Sequence, residues 1–405
     1  MNFFQTPFFI RFLSIGVICG LPFYYYFRQF WQTSSYIYLL FFGALYFVST
    51  FSTINQFAQS KPFIKKLFIV EILLIFIFIF LFVSLGRLEK SIAFLFTTIA
   101  ITRFLIIKKS NKSFIDFSNL VTASALIASI GIFFGFIESI FLQSHLFSQE
   151  INVDYPYSNG MNETVLINGF FATANGSAYC LGAGIAFVKF QNIFLGIPKK
   201  IVLILLILAL IITKTKFTVL ILATYMGFTL LKTYSSKLLI LYLFLLAMCY
   251  LFFSHVVLAF NGTYDYPSIH FREIIFSINN LDFILGNYGM FKLYSIDAIS
   301  SHWLMPFGME NFEIIYGDRP HFMFGSILIS GGIVTVILLL SYIFIFLNGC
   351  FDNIKYALQN YSKFSIFLTI LFCFLIESFN WNFGNSFYFW SLIFGLNELQ
   401  QSERH

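Results

Sequence analysis

Charge is scarce in this chain: only 10% of its 405 residues are Asp, Glu, Lys or Arg. A soluble globular domain carries near a quarter, so an ordinary water-facing surface is excluded for most of the length. Proline is also sparse, with eight residues, which leaves long stretches without a helix breaker. The five cysteines, Cys19, Cys180, Cys249, Cys350 and Cys373, stand in or beside apolar runs. None shows metal-ligand spacing and none lies in a long polar loop, so they read as small apolar fillers. No histidine pair has HxxxH-like spacing, so no metal site is expected. The lack of period-two alternation argues against an outer-membrane barrel. No internal repeat, low-complexity tract or stretch of soluble-domain composition is present.

What remains is apolar. Hydrophobic residues make up 59% of the chain, 60 of them Phe, and the mean hydropathy is +0.84. Runs near twenty residues long recur from end to end, the length that crosses a hydrocarbon core. Backbone groups in lipid must be satisfied within their own segment, so these runs are read as helices. The fold class that follows is an all-α integral membrane protein, a single polytopic domain over residues 1–405. The runs lie near residues 8–27, 35–55, 67–86, 91–107, 117–141, 166–187, 201–213, 217–231, 238–253, 322–347, 364–379 and 384–397, about twelve transmembrane helices in all. Arg11 precedes the first run, which ends in FYYYF without a small-residue cleavage site, and is read as a retained span. The pair at 201–231 is the shortest, divided by Thr213, Lys214, Thr215 and Lys216. Either it is a hairpin of two short helices, or its polar turn sits below the membrane surface inside the protein.

The net charge of +6 is no nucleic-acid footprint, because the basic residues sit in short connections. Lys61, Lys65 and Lys66 follow the second run, and Lys108, Lys109 and Lys112 the fourth. Lys189, Lys199 and Lys200 follow the sixth, Lys232 and Lys237 the eighth, Lys355 and Lys363 the tenth. Every second connection is basic, which places those connections and both termini in the cytoplasm. Two long loops then face outward. Residues 142–165 carry Glu150, Asp154 and Glu163 but no Lys or Arg, and residues 254–321 form the largest polar region. Within the latter, IHFREIIFSINNL (269–281) puts Ile274, Ile278 and Leu281 on one face, as in a helix lying on a membrane surface.

Polar groups near membrane depth are costly, so each is a candidate site. Lys214 and Lys216, in the outward turn of the 201–231 hairpin, could hold an anionic group such as a phosphate; alternatively they snorkel to water at a helix end. Arg272 has a planar fork suited to phosphate or carboxylate, or it is an ordinary headgroup-binding arginine. His321, in RPHFMFG (319–325), falls in the first turn of the tenth run behind Pro320. A neutral imidazole there could take a proton from a hydroxyl, or it could bond backbone or headgroups. Asn175 lies among Gly169, Gly176, Ser177 and Ala178, small residues that let a second helix approach. Its role is helix packing or substrate lining, since a buried amide needs partners. Glu71, Arg103, Glu138 and Glu377 are explained by snorkelling or pairing near run ends. The sequons at Asn162, Asn175 and Asn261 are read as chance matches.

Four stretches together resemble the O-antigen ligase and polymerase superfamily of bacterial polysaccharide assembly. GFFATANGSA (169–178) is similar to the family's Gly-Thr-Phe…Pro-Asn…Ala segment, with Ala174 where Pro is common. IITKTKFTVLIL (211–222) resembles the segment in which a Ser-Arg pair opens a span, with Thr215 and Lys216 in those places. HFREIIFSI (270–278) followed by FILGNYGMF (283–291) resembles the large-loop Arg and a Gly-x-x-Gly turn, and PHFMFGSILISGGIVTVILL (320–339) the His that opens the next span.

The resemblance implies a glycosyltransferase at the periplasmic face of the bacterial inner membrane, with an undecaprenyl-diphosphate-linked oligosaccharide as donor and no cofactor. It implies Arg272 and Lys216 on the diphosphate, with Lys214 and Arg319 beside them, and His321 on the acceptor hydroxyl. Lys216 keeps the charge of the family's Arg but loses its fork. A Wzy-type polymerase of O-antigen or capsule repeat units is the first expectation, because the motifs are degenerate and polymerases vary more than ligases. Membrane lipids, a chain-length regulator and a flippase are its expected partners. The alternatives are the ligase that moves the finished glycan onto lipid A-core, and a lipid-linked oligosaccharide flippase or transporter. A transporter would place charges at the midplane within broken helices; here they gather in one long loop.

Overall fold

Long apolar runs with few prolines close their own backbone hydrogen bonds, and helices dominate wherever the chain is described. The structure is a computed structural model that describes residues 18–20, 62–85, 99, 113–141, 146–151, 164–171, 173–188, 190, 193–194, 196–231, 238–248, 306, 308, 311, 323–380 and 386–402. The runs expected at 8–27, 35–55 and 91–107 therefore lie almost wholly outside the described residues, as does most of the loop 254–321.

The helices are α1 (Pro62–Leu85), α2 (Ser113–Phe141), α3 (Ala174–Val188), α4 (Lys199–Ile212), α5 (Lys216–Leu231), α6 (Leu238–Met248), α7 (Met323–Gly349), α8 (Phe351–Gln359), α9 (Tyr361–Asn380) and α10 (Ser386–Ser402). Two of them, α2 and α7, contain windows long and apolar enough to cross a membrane. The strands β1 (Ser148–Ile151) and β2 (Thr164–Ile167) pair antiparallel, Ser148 opposite Ile167. A second, minimal pair joins β3 (Ile193–Phe194) to β4 (Ile197–Pro198).

Among the described residues, helix positions follow the apolar runs within about five residues, with two corrections. The run at 166–187 is not one helix. Residues 164–167 form β2, the chain turns at Gly169 with φ 58°, and helix begins at Ala174. A short apolar run such as TVLI fits a strand or a buried helix equally well by pattern. The connection after α7 also holds a helix of its own, α8.

Packing is densest around α3, whose described side chains are almost all buried. Gly184 lies against Ala125 of α2, where an added Cβ would collide with the alanine methyl. Gly184→Ala is expected to lower stability by about 1–3 kcal/mol, since overpacking forces two helices apart; thermal unfolding in detergent measures it, and an unchanged midpoint would contradict the crossing. Elsewhere aromatic rings mesh edge to face. Phe187 meets Phe117 at 5.4 Å and Phe367 at 5.9 Å, and Tyr179 meets Phe217 at 4.8 Å.

The outer surface reverses the usual rule. Val83 is 75% exposed, Phe344 72%, Val219 66% and Phe76 65%. Large side chains from seven helices, α1, α2 and α4 to α8, present apolar surface of this kind, far beyond what a water-soluble monomer tolerates.

A chain of contacts defines one end of the bundle. Phe63 of α1 sits on Gly349 and Phe346 at the close of α7. Tyr356 of α8 meets Phe364, Phe364 meets Phe190, and Ser118 donates to the Phe187 carbonyl at 3.0 Å. Lys65, Lys66, Lys200 and Lys355 are all exposed on elements that begin or lie at this end. Deeper in, the Tyr342 hydroxyl donates to Glu71 Oε1 at 3.0 Å, and Glu71 is 2% exposed. Glu71 is thus a buried bridge between α1 and α7, the paired alternative of the two that the sequence left open.

Candidate functional site

The opposite end gathers the polar features. Helix α4 stops at Ile212 and α5 starts at Lys216, so the chain reverses within three residues. Threonine chemistry makes this possible. The Thr213 hydroxyl donates to the Leu210 carbonyl at 2.6 Å, and Thr218 donates to the same oxygen at 3.0 Å. Thr215 bridges them, 3.3 Å from Thr213 and 3.2 Å from Thr218. All three threonines are buried, so the turn's hydroxyls satisfy one another and a helix-end carbonyl.

Lys214 sits at the apex and is exposed, with φ 53°. It alone among non-glycine described residues has positive φ, a conformation costing about 1–2 kcal/mol for an L side chain. Lys214→Gly is therefore expected to hold or raise stability by up to about 1 kcal/mol, while a β-branched replacement lowers it. Thermal unfolding of both variants decides; a marked loss for the glycine variant would mean that the lysine side chain itself holds the turn. The structure shows two short helices joined by a turn of buried threonines and an exposed lysine.

Asn175 is the second residue of α3 and is half-buried. Ahead of it, Thr173 Oγ1 accepts the Gly176 N–H at 3.2 Å, an N-cap for the helix. The ring of Tyr179, one turn further, packs on Phe217 at the start of α5, and Phe217 packs on Phe374 at 5.1 Å. The starts of α3 and α5 thus share one end, and helix N-termini carry partial positive charge. Helix α7 also runs from this end, because its close lies with Phe63 at the other.

A collar built from α2 and the β1–β2 pair borders this end. Glu138 Oε1 accepts the Leu146 N–H at 2.6 Å and Oε2 the Phe147 N–H at 2.8 Å. The Phe147 carbonyl in turn accepts the N–H groups of Asn168 and Gly169 at 3.2 and 2.9 Å. Gly131 and Gly135 allow this approach, lying against Phe170 and Phe147. Glu138, 3% exposed, is a backbone cap rather than a snorkelling side chain. Asn168 is 5% exposed and its Oδ1 has no hydrogen-bond partner.

Of the residues singled out in the sequence, Lys214 and Asn175 are described at this end. Lys216 is placed as the first residue of α5, with only its backbone described. Arg272, Arg319 and His321 lie outside the described residues. Thr218 and the bonding role of Glu138 were missed; the signal for the first was a third threonine one helical turn after Thr215. Among the described residues no group of three His, Cys, Asp or Glu is placed to hold a metal ion. The arrangement can offer an anion two helix starts and an exposed ammonium at one end of an apolar bundle. No protein-family model, no curated protein and no solved structure matches the chain.

Proposed function

We propose that this chain is a polytopic inner-membrane glycosyltransferase of about twelve spans, a Wzy-type polymerase joining undecaprenyl-diphosphate-linked repeat units at the periplasmic face. The observation that carries the reading is the division of the bundle into two unlike ends. Exposed lysines mark one, as the cytoplasmic side requires. At the other, three of the four family-like stretches, 169–178, 211–222 and 320–339, begin their helices. The apolar belt between them supplies the lipid-facing surface.

In this reading the diphosphate lies against the α4–α5 turn and the loop, held by Lys214, Lys216, Arg272 and Arg319. Stabilising it as it departs lowers the barrier to glycosyl transfer. His321 accepts the proton of the acceptor hydroxyl as that oxygen attacks the anomeric carbon. The bond to the diphosphate oxygen breaks and the glycosidic bond forms. Cytoplasmic termini and the large periplasmic loop belong to the same proposal.

The test is the surface-glycan ladder of a deletion strain, run beside its extracted lipid-linked intermediates. A single repeat on lipid A-core supports a polymerase. Bare core with long polymer stranded on the carrier would mean the ligase instead. Single repeats trapped on the cytoplasmic face would mean a flippase, and an unchanged ladder would sink the reading altogether.

A further inference from the structure

Helix α8 divides its surface into three sectors. Ala357 marks the inward one: it is buried, and Tyr356 beside it packs on Phe364 of α9 at 6.0 Å. The helix packs against α10 as well. Leu358 and Phe351 fall on another side, within about 20° of each other at ~100° per residue, and are 55% and 63% exposed. Asp352 and Gln359 form the third sector, about 80–100° round from Phe351, and both are exposed. Lys355 stands on the border between the last two, about 40° from Phe351. It is exposed and has no ion-pair partner among the described residues.

Water alone does not account for this arrangement. The inward face of α8 is already covered, yet two large apolar side chains project from the same outer stripe. An apolar sector, a polar sector and a lysine on their border suit a helix lying at a membrane surface. The apolar side then meets the acyl boundary while the lysine stem snorkels to the headgroups. The place of α8 in the chain fits this. It lies between the close of α7 and the start of α9, at the end of the bundle where Phe63 sits on Gly349.

Charge at this end is nearly all of one sign. Lys65, Lys66, Lys200 and Lys355 are exposed, and Asp352 is the sole exposed carboxylate among the described residues. That carboxylate lies in the first turn of α8, where it complements the helix dipole. The Phe63 contact brings the first turn of α1, with Lys65 and Lys66, toward the start of α8. From the other end of α8, the rings of Tyr356, Phe364 and Phe190 lead toward the β3–β4 pair that precedes Lys200. Basic residues thus flank α8 on both sides.

We propose that α8 is an interfacial helix that binds an anionic phospholipid of the cytoplasmic leaflet. Lys355 holds the headgroup phosphate, and Phe351 and Leu358 lie along the acyl chains. Charge complementarity selects this occupant, because a zwitterionic lipid offers the same chains but no net charge to the surrounding ammonium groups. A protein partner would find two apolar side chains here, far less than a specific interface buries. The site uses none of the groups assigned to glycosyl transfer. It rests on the orientation proposed above and not on the reaction.

Native mass spectrometry of the full-length protein in detergent, titrated with phosphatidylglycerol or phosphatidylcholine of identical acyl chains, tests the lipid. Phosphatidylglycerol is expected to bind at least ~5-fold tighter, the increment one lysine supplies near a charged surface. Lys355→Gln should lose about 5-fold in affinity for phosphatidylglycerol and little for phosphatidylcholine. Phe351→Ser combined with Leu358→Ser should weaken both lipids. All three side chains are exposed, so these changes leave the described core intact. Equal affinity of the wild type for the two lipids overturns the charge selection. A preference unchanged in Lys355→Gln overturns the site at α8.

Placement is read by a membrane-impermeant maleimide on inside-out vesicles, with the unsubstituted chain as background. Asp352→Cys and Gln359→Cys are expected to react at least ~10-fold faster than Phe351→Cys and Leu358→Cys, whose sector is buried in the interface. Equal rates overturn the interfacial helix. Labelling at 352 and 359 from right-side-out vesicles alone overturns the proposed orientation, and the cytoplasmic leaflet with it. A protein that binds the lipid as expected but whose deletion leaves the glycan ladder unchanged overturns the transferase reading and leaves this site standing.

Discussion

His321→Ala is expected to cut chain growth by about 10²–10⁴-fold, the range lost when a positioned general base is removed. The protein should reach the membrane in normal amount, because His321 precedes α7 and lies outside its described apolar packing. Two features motivate the size of the effect. His321 stands two residues ahead of Met323, where the described part of α7 begins, and the proposed function assigns it the role of general base. In the proposed transfer the acceptor hydroxyl must lose a proton as it attacks. Arg272→Ala should lose activity to a similar degree through the leaving group, at about 10²–10³-fold. Arg272→Lys should recover only part, because charge returns without the bidentate fork. Complementation of a deletion strain, read as a glycan ladder with a membrane immunoblot, separates these outcomes. Full-length ladders from both alanine variants at normal abundance would remove the two residues from the mechanism.

The largest effect on stability is expected at Glu138. Its carboxylate accepts two backbone N–H groups, from Leu146 and Phe147, while almost wholly buried. Glu138→Ala leaves both donors without an acceptor, each omission costing about 1–3 kcal/mol. The sum is a large share of the ~5–15 kcal/mol by which a typical protein is stable. Glu138→Gln keeps one acceptor oxygen and should lie between. The loss should also spread, since the Phe147 carbonyl holds Asn168 and Gly169 just ahead of α3. Thermal unfolding in detergent gives the order wild type, glutamine, alanine. A melting point for the alanine variant within a degree of wild type would show that these bonds do not hold the collar.

Much of the helical framework was legible in the sequence because lipid-length apolar runs have few alternatives. The runs at 117–141, 201–213 and 217–231 became α2, α4 and α5 nearly as written. The failures share a cause, which is dependence on a distant partner. TVLI at 164–167 pairs with residues 148–151 across the loop before it, and only that pairing makes it a strand. For Glu71 and Glu138 the sequence left snorkelling and pairing both open, and could not name the partners, Tyr342 for one and a returning loop for the other. Of the candidate site, the hairpin turn was visible because two lysines between apolar runs are conspicuous. Its threonine bonding was not, since hydroxyl geometry has no one-dimensional signature.

The hairpin of α4 and α5 has one more implication, for the bilayer itself. At 14 and 16 residues these helices measure roughly 21–24 Å at 1.5 Å per residue. An average hydrocarbon core measures ~30 Å, so if both helices cross the bilayer as proposed, lipid beside the hairpin must thin or its flanks must sink. That dimple would draw the headgroup plane inward on the side where Lys214 stands. In the proposed transfer, a polyprenyl carrier arriving there would then meet the protein in a locally shallow, poorly ordered patch of membrane. Under that proposed arrangement, acyl-chain length of the surrounding lipid is expected to act as a control variable, independent of every side chain in the site.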